Sequence, residues 1–270
     1  MTLTTRYRGF VLDLDGTVYL GEELLPGSRE TISALRASGA RLLYLTNKPL
    51  ESGASYADKL TALGLPTDPN EIVTSLDALV GYMTDHHPGA PVLCISEPLV
   101  ATTMAAAGFE IVDFDRAEKA SAVVVAFDRT FDYAKLHAAF KAVRNGAVIV
   151  ATNPDRFCPT PDGGLPDCAA MLAAVEACTG ERAEAVVGKP SPQMMETILR
   201  RLDLPPHEVL MVGDRVETDV AMARRAGVDA ALTLSGATTA EEAAKADPPP
   251  TYVLNNLGDL AVALGSTPGR

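Results

Sequence analysis

An α/β fold on a parallel sheet is the architecture this sequence predicts, and two alternating patterns predict it. Short, continuous apolar runs occur at Phe10-Val11-Leu12-Asp13-Leu14, Leu42-Leu43-Tyr44-Leu45, Val92-Leu93-Cys94-Ile95 and Val123-Val124-Val125-Ala126. They recur at Val148-Ile149-Val150, Ala185-Val186-Val187, Val209-Leu210-Met211-Val212 and Ala230-Ala231-Leu232-Thr233-Leu234. A run that is apolar at successive positions, rather than at every second one, fits a strand buried on both faces of a parallel sheet. The segments between the runs have a helical period. Ser28 to Ser38 carries Ile32 and Leu35 and stops at Gly39. Pro192 to Leu202 reads in the same way, as does Val216 to Ala226, which ends at Gly227. Strand–helix alternation of this kind implies right-handed crossovers.

Two seams interrupt the alternation, one at Asp85-His86-His87-Pro88-Gly89 and one at Thr179-Gly180-Glu181-Arg182. About a hundred residues lie between them, enough for an inserted domain. The expected division is therefore one domain from residues 1–82 and 184–270 and a second from 83–183. His86 and His87 read as linker residues. Asn153 to Pro166, rich in Pro, Asp and Gly, reads as a long loop within the insert. Met194 and Met195 fall on a helical pattern and are expected in the core.

Composition narrows the partners. Hydrophobic residues make up 47% of the chain and charged residues 21%, enough apolar surface for a sizeable core. The 35 acidic against 23 basic residues give a net charge of −12, which repels nucleic acid polymers and anionic membranes. Cys94, Cys158, Cys168 and Cys178 form no CxxC pair and are expected to be reduced, mostly buried thiols. No run approaches the ~18 apolar residues of a membrane span. Met1 to Gly9 lacks the apolar stretch of a secretory leader. The expectation is a cytoplasmic protein.

Chemistry collects at the ends of four of the apolar runs, and ligands of open α/β sheets bind outside the carboxyl ends of strands. The first end is Asp13-Leu14-Asp15-Gly16-Thr17. Two carboxylates this close cannot both ionise cheaply without a cation, and magnesium suits such oxygen ligands. The second is Thr46-Asn47-Lys48-Pro49, whose hydroxyl and amide are suited to donating to phosphate oxygens. The third is Gly188-Lys189-Pro190, where a lysine is placed to neutralise a transferring phosphoryl group. The fourth is Gly213-Asp214-Arg215-Val216-Glu217-Thr218-Asp219. There Asp214 is suited to complete a magnesium shell with Asp13, and Asp219 to orient a metal-bound water or hold Lys189. Taken singly, each of these is also an ordinary acidic turn, cap or surface lysine.

Taken together, the order DLDGT, LTN, GKP, GDxxxxD resembles the haloacid dehalogenase superfamily of phosphohydrolases across essentially the whole chain. The long segment between Asn47 and Lys189 resembles the C2-type cap of that superfamily. Asn153-Pro154-Asp155, the following Pro159-Thr160-Pro161-Asp162-Gly163, and the flank Tyr19-Leu20-Gly21 resemble its type IIA branch, that of NagD and the p-nitrophenylphosphatases. The resemblance implies a Rossmann-like core with an inserted α/β cap. It implies that Asp13 is the nucleophile and forms an aspartyl-phosphate, while Asp15 is the general acid and base. It assigns Mg2+ to Asp13, the backbone carbonyl of Asp15, and Asp214, with Asp219 at the acidic end of the metal site. Thr46 would bind the phosphoryl oxygens with Asn47 close by, and Lys189 would stabilise their charge. The second aspartate, Asp15, points to an ester rather than a halide as leaving group.

This chain departs from the type IIA pattern at two places. Lys48 stands where many relatives carry Asn, and either adds positive charge near the substrate or points to solvent. Pro166-Asp167-Cys168-Ala169-Ala170 stands where relatives are often Gly-rich. Arg156, in the long loop, either meets a second anionic group on a substrate or is a solvated loop arginine. The expected partner is a small phosphorylated metabolite, with a homodimer through the cap as a further expectation. Two rivals remain: a phosphotransferase of the mutase kind, and a catalytically weak or inactive binding protein on the same fold. Only about thirty residues separate Asp15 from Thr46, too few for the helical cap that mutases carry there.

Overall fold

The computed structural model describes residues 6–158 and 164–263. The strands of its two larger sheets are β1 (Gly9–Asp13), β2 (Arg41–Thr46), β3 (Ile72–Thr74), β4 (Val92–Ile95), β5 (Ala122–Val125), β6 (Val148–Ala151), β7 (Ala185–Val186), β8 (Val209–Gly213), β9 (Asp229–Thr233) and β10 (Tyr252–Leu254). They form a six-stranded sheet in the order β10-β9-β8-β1-β2-β3 and a four-stranded sheet in the order β7-β6-β5-β4. Each apolar run singled out in the sequence is a strand. The short β3 and the half-exposed β10 carry weaker apolar signals.

The chain falls into two units. The first takes in the described residues of Met1–Thr46, Gly53–Val73 and Met194–Arg270; the second takes in Asn47–Ser52 and the described residues of Thr74–Gln193. The helices Ser75–His86 and Cys168–Thr179 belong to the second unit, as does the loop around Lys189.

In the first unit β1 pairs in parallel with β8 on one side and with β2 on the other. The chain runs outward from β1 to β2 and β3, then returns to build β8, β9 and β10 on the opposite side. The order reverses between β1 and β8, and such a switch point is where an open sheet leaves a crevice at its carboxyl edge. Burial follows the expected pattern. Phe10, Leu12, Leu42, Tyr44, Leu210 and Val212 pack with Ile32, Leu35, Tyr56, Leu60, Leu257 and Leu260 in one cluster. The alternate residues Val11, Leu43, Leu45 and Met211 are equally buried, so both faces of the sheet are covered. Met194 and Met195 are wholly buried, as expected of core residues. The helix Ser28–Ala37 ends as read, with Gly39 in the left-handed conformation at φ +77°.

In the four-stranded sheet of the second unit all three strand pairings are parallel. Leu93, Ile95, Val123, Val125 and Ile149 pack against Ala138, Ala139, Ala142 and Val143 of the helix Tyr133–Arg144 and against Met171, Leu172 and Val175 of Cys168–Thr179. Small alanines on one helix face let it lie close to the strands. The expected linker histidines are placed differently. The helix from Ser75 runs through His86, whose ring stacks on Tyr82 at 4.2 Å, and His87 pairs with Glu184 at 2.6 Å. The capping box of Thr74 with Asp77 fixes where this helix starts.

Cys94 and Cys168 are buried free thiols, and burial pushes their pKa values up to about 12 and about 11. Cys178 is free and exposed. Among the described residues no helix is long and apolar enough to cross a membrane.

Candidate active site

The register of the first sheet places the acidic residues. Leu12 lies opposite Val212, so the chain leaves β1 at Asp13 beside the point where it leaves β8 at Gly213-Asp214. Asp219 follows in a π-helical turn, Val216–Val220. In that turn the N–H of Val220 reaches back five residues to the carbonyl of Arg215 at 3.2 Å. The sequence predicts an ordinary helix from Val216; the regular α-helix in fact begins at Ala221.

Carboxylate oxygens of Asp13, Asp214 and Asp219 all lie within 4.8 Å of one another, and all three residues are buried. Each of the last two is fixed by a backbone amide. Asp214 Oδ2 accepts from the N–H of Ala237 at 2.6 Å, and Asp219 Oδ2 accepts from the N–H of Arg215 at 3.1 Å. Three glycines make room for them. A Cβ on Gly16 would stand 2.6 Å from Asp214 Oδ2, one on Gly236 2.0 Å from the same atom, and one on Gly213 2.4 Å from Asp219 Cγ. Buried, mutually repelling carboxylates of this kind fit a divalent cation with hard oxygen preferences. The buried hydroxyls of Thr17 and Thr218, in the same two loops, find no hydrogen-bond partner among the described residues.

The loop of residues 235–237 was not singled out in the sequence. It lies at the carboxyl end of β9, where Ser235 donates to the carbonyl of Gly16 at 2.8 Å. It carries no titratable group; the signal that would have found it is a Ser-Gly pair at the end of a buried strand.

Asp15 is partly buried one turn beyond β1, in a bridge with Tyr19. Thr46 is buried at the end of β2, whose Leu45 lies opposite Asp13.

The remaining expected residues lie in the second unit. Asn47 is buried, and its side-chain amide is committed to the protein. Its Oδ1 accepts from the Lys189 N–H at 2.7 Å, while its Nδ2 donates to the Lys189 carbonyl at 3.1 Å and to Asp155 Oδ2 at 3.0 Å. These partners differ from the phosphate oxygens expected of it. Lys189 is itself 5% exposed.

Lys48 is half-buried, and its charge acts on Asp167. Asp167 is buried as the N-cap of Cys168–Thr179 and accepts from the Cys168 N–H at 2.5 Å. Arg156 is exposed, and its carbonyl accepts from the Asp167 N–H at 3.0 Å. The stretch Pro159-Thr160-Pro161-Asp162-Gly163 lies outside the described residues.

Burial pushes the Asp167 carboxyl up from 3.8 to about 6. Between those values the folded chain holds a proton that the unfolded chain has lost. The contribution of this carboxyl to stability is therefore fully present below about pH 4 and is lost as pH rises through 6, at most about 3 kcal/mol. Asp167→Asn keeps a capping oxygen and removes the titration. It is expected to gain about 1–3 kcal/mol on the native protein between pH 4 and pH 7. Urea unfolding at both pH values measures this; an unchanged difference between the two proteins would refute it.

The chain matches two family models, one for haloacid dehalogenase-like hydrolases over residues 10–110 and one described as HAD-hydrolase-like over residues 186–260. It is 35% identical over 252 residues to the sugar-phosphatase AraL of Bacillus subtilis, covering 93% of this chain and 91% of that one. It is 33% identical over 259 residues to an acid sugar phosphatase of Staphylococcus aureus, covering 96% and 98%. The structure of 4-nitrophenylphosphatase from Thermotoga maritima superposes with a TM-score of 0.91 at 33% identity, covering 98% of this chain and 100% of that one.

Proposed function

This chain belongs to the haloacid dehalogenase-like hydrolases, in the branch of the NagD-like and p-nitrophenylphosphatase-like phosphomonoester hydrolases, and from that membership we propose that it is a magnesium-dependent phosphatase working through an aspartyl-phosphate at Asp13. The observation that carries the proposal is the buried cluster of Asp13, Asp214 and Asp219 at the switch point of the first sheet.

In this reading an Asp13 carboxylate oxygen attacks the phosphorus of a monoester and the bond to the leaving oxygen breaks. Protonated Asp15 gives its proton to that oxygen, so an alcohol leaves rather than an alkoxide. Asp15, now a carboxylate, takes a proton from a water that attacks the phosphorus of the aspartyl-phosphate. Inorganic phosphate departs and the Asp13 carboxylate is restored. Thr46 donates its hydroxyl to a phosphoryl oxygen, and Lys189 balances the charge spread over the others. Asp13, Asp214 and Asp219, with the carbonyl of Asp15, would hold Mg2+, which would polarise the phosphoryl group and offset the charge of the carboxylates. The anionic substrate overcomes the net charge of −12 through these local cations.

The relatives' names make sugar phosphates and p-nitrophenyl phosphate the first compounds to try. Phosphate release from such a panel is expected to be strong with millimolar Mg2+, to fall to background with EDTA, and to return when Mg2+ is restored. Equal release with and without the chelator would overturn the metal assignment; none on any monoester would overturn the proposal.

A further inference from the structure

The Asn47 amide grips one residue's main chain at two points. It receives the N–H of Lys189 and donates to the C=O of the same residue, so the peptide planes on both sides of the Lys189 Cα are held together. The second Nδ2 hydrogen goes to Asp155 Oδ2, 108 residues along the chain. A carboxylate accepts and never donates, so Asp155 anchors the Asn47 amide in the same orientation that the Lys189 main chain requires. With the amide reversed, an NH2 would face the Lys189 N–H and an oxygen would face both the Lys189 carbonyl and the Asp155 carboxylate.

The surrounding groups hold the arrangement. The main-chain carbonyl of Asn47 accepts from Ser75 Oγ at 2.8 Å and from Asn153 Nδ2 at 3.1 Å. Asn153 Oδ1 accepts the Asp155 N–H at 3.3 Å, and the Asp155 carbonyl accepts the Ala169 N–H at 3.0 Å. Gly188 has to lack a side chain here, because a Cβ would stand 2.4 Å from the Thr152 carbonyl and 2.7 Å from Asn47 Oδ1. Every member of this network lies in the second unit.

We infer that Asp155 is a positioning residue for the hydrolysis: by anchoring the Asn47 amide, it holds the main chain from which Lys189 acts. The inference rests on the phosphatase reading above and adds to it a residue that acts through another. A buried lysine aimed by its own main chain is sensitive to small rotations there, and misplacement by about 1 Å can cost about a hundredfold in rate.

The test is a double-mutant cycle with p-nitrophenyl phosphate as substrate. Asp155→Ala is expected to lower kcat about 10- to 100-fold, with KM changed less than about threefold. Orthovanadate, which mimics the pentavalent phosphorus, is expected to inhibit more weakly in the same proportion. In a Lys189→Ala background the same substitution should lower kcat less than about twofold, because the group it aims is gone. A comparable loss in both backgrounds would mean that Asp155 supports the fold in general, and would overturn the inference. So would native kcat in Asp155→Ala. If Asp155→Ala does not fold, the near-isosteric pair carries the decision. Asn47→Asp should be strongly impaired, and adding Asp155→Asn should recover at least about fivefold by exchanging donor and acceptor across the contact; no recovery would overturn the inference. An inactive native protein defeats the phosphatase reading itself. An active one that needs Lys189 and ignores Asp155 defeats this inference alone.

Discussion

Replacing Asp13 by Asn is expected to lower turnover by about four to six orders of magnitude while leaving the chain folded. The amide has nearly the shape of the carboxylate, so the end of β1 and its pairing with β8 and β2 persist. It lacks the charge and nucleophilicity that attack on phosphorus needs, and no aspartyl-phosphate forms. The substitution has a second consequence that distinguishes loss of chemistry from loss of structure. Asp13 shares its buried site with Asp214 and Asp219, with carboxylate oxygens within 4.8 Å. Without a cation these carboxylates repel one another, so neutralising one relieves the native state. In EDTA, Asp13→Asn should therefore melt no lower than the native protein, although it is inactive in Mg2+. Phosphate release and thermal unfolding, measured on the same samples, check both halves. Turnover above about one per cent of native would count against Asp13 as nucleophile, and a lower melting temperature in EDTA would count against the repulsion.

Gly16→Ala is expected to reduce kcat/KM by about a hundredfold or more, although it removes no catalytic group. Two costs combine. Gly16 has φ +83°, where a Cβ costs about 1–2 kcal/mol. The new methyl would also stand 2.6 Å from Asp214 Oδ2 and 3.1 Å from Gly236 Cα. Asp214 has little room to yield, since Oδ2 is held by the Ala237 N–H at 2.6 Å and the Gly236 backbone closes the other side. Overpacking of this kind costs about 1–3 kcal/mol more, much of it expressed as displacement of the Asp214 carboxylate. Gly39→Ala provides the control. Gly39 has a similar φ of +77° but, among the described residues, nothing within 4 Å of its added Cβ. It should show the conformational cost in its melting temperature and keep its activity and Mg2+ requirement. If the two variants lose activity alike, the Asp214 contact is not the cause.

The part of this site that was legible in the sequence is the part that sits on strands. Asp13, Thr46 and Asp214 follow apolar runs, and once those runs pair in parallel their ends have to gather along one edge. Helix ends marked by glycine, such as Gly39, were legible for the same local reason. The partners of Asn47 were not. Its hydrogen bonds reach residues 108 and 142 positions away, and nothing in the Thr-Asn-Lys stretch distinguishes an amide that binds a ligand from one that binds the main chain. The loop around Ser235 and Gly236 was missed because its contribution is a backbone N–H and the absence of a side chain. Lys48 and Asp167 each looked like a solitary departure from the family pattern, and the charge of Lys48 acts on the Asp167 carboxyl. The helix expected from Val216 was a misreading of period. Polar Glu217, Thr218 and Asp219 fit a helical start, but spacing alone does not tell a four-residue return from a five-residue one.

That π-helical turn constrains how this stretch of chain can change over generations. Asp214 and Asp219 meet across a short arc in which Arg215 is extended and Val216–Val220 form the π-helical turn. Most side chains between them could be exchanged without altering that arc. Deleting a single residue would let the turn relax into an ordinary helix and would carry Asp219 around the axis, away from its partner. The segment is thus a measured length before it is a set of residues, and natural variation here should consist of substitutions and exclude insertions and deletions.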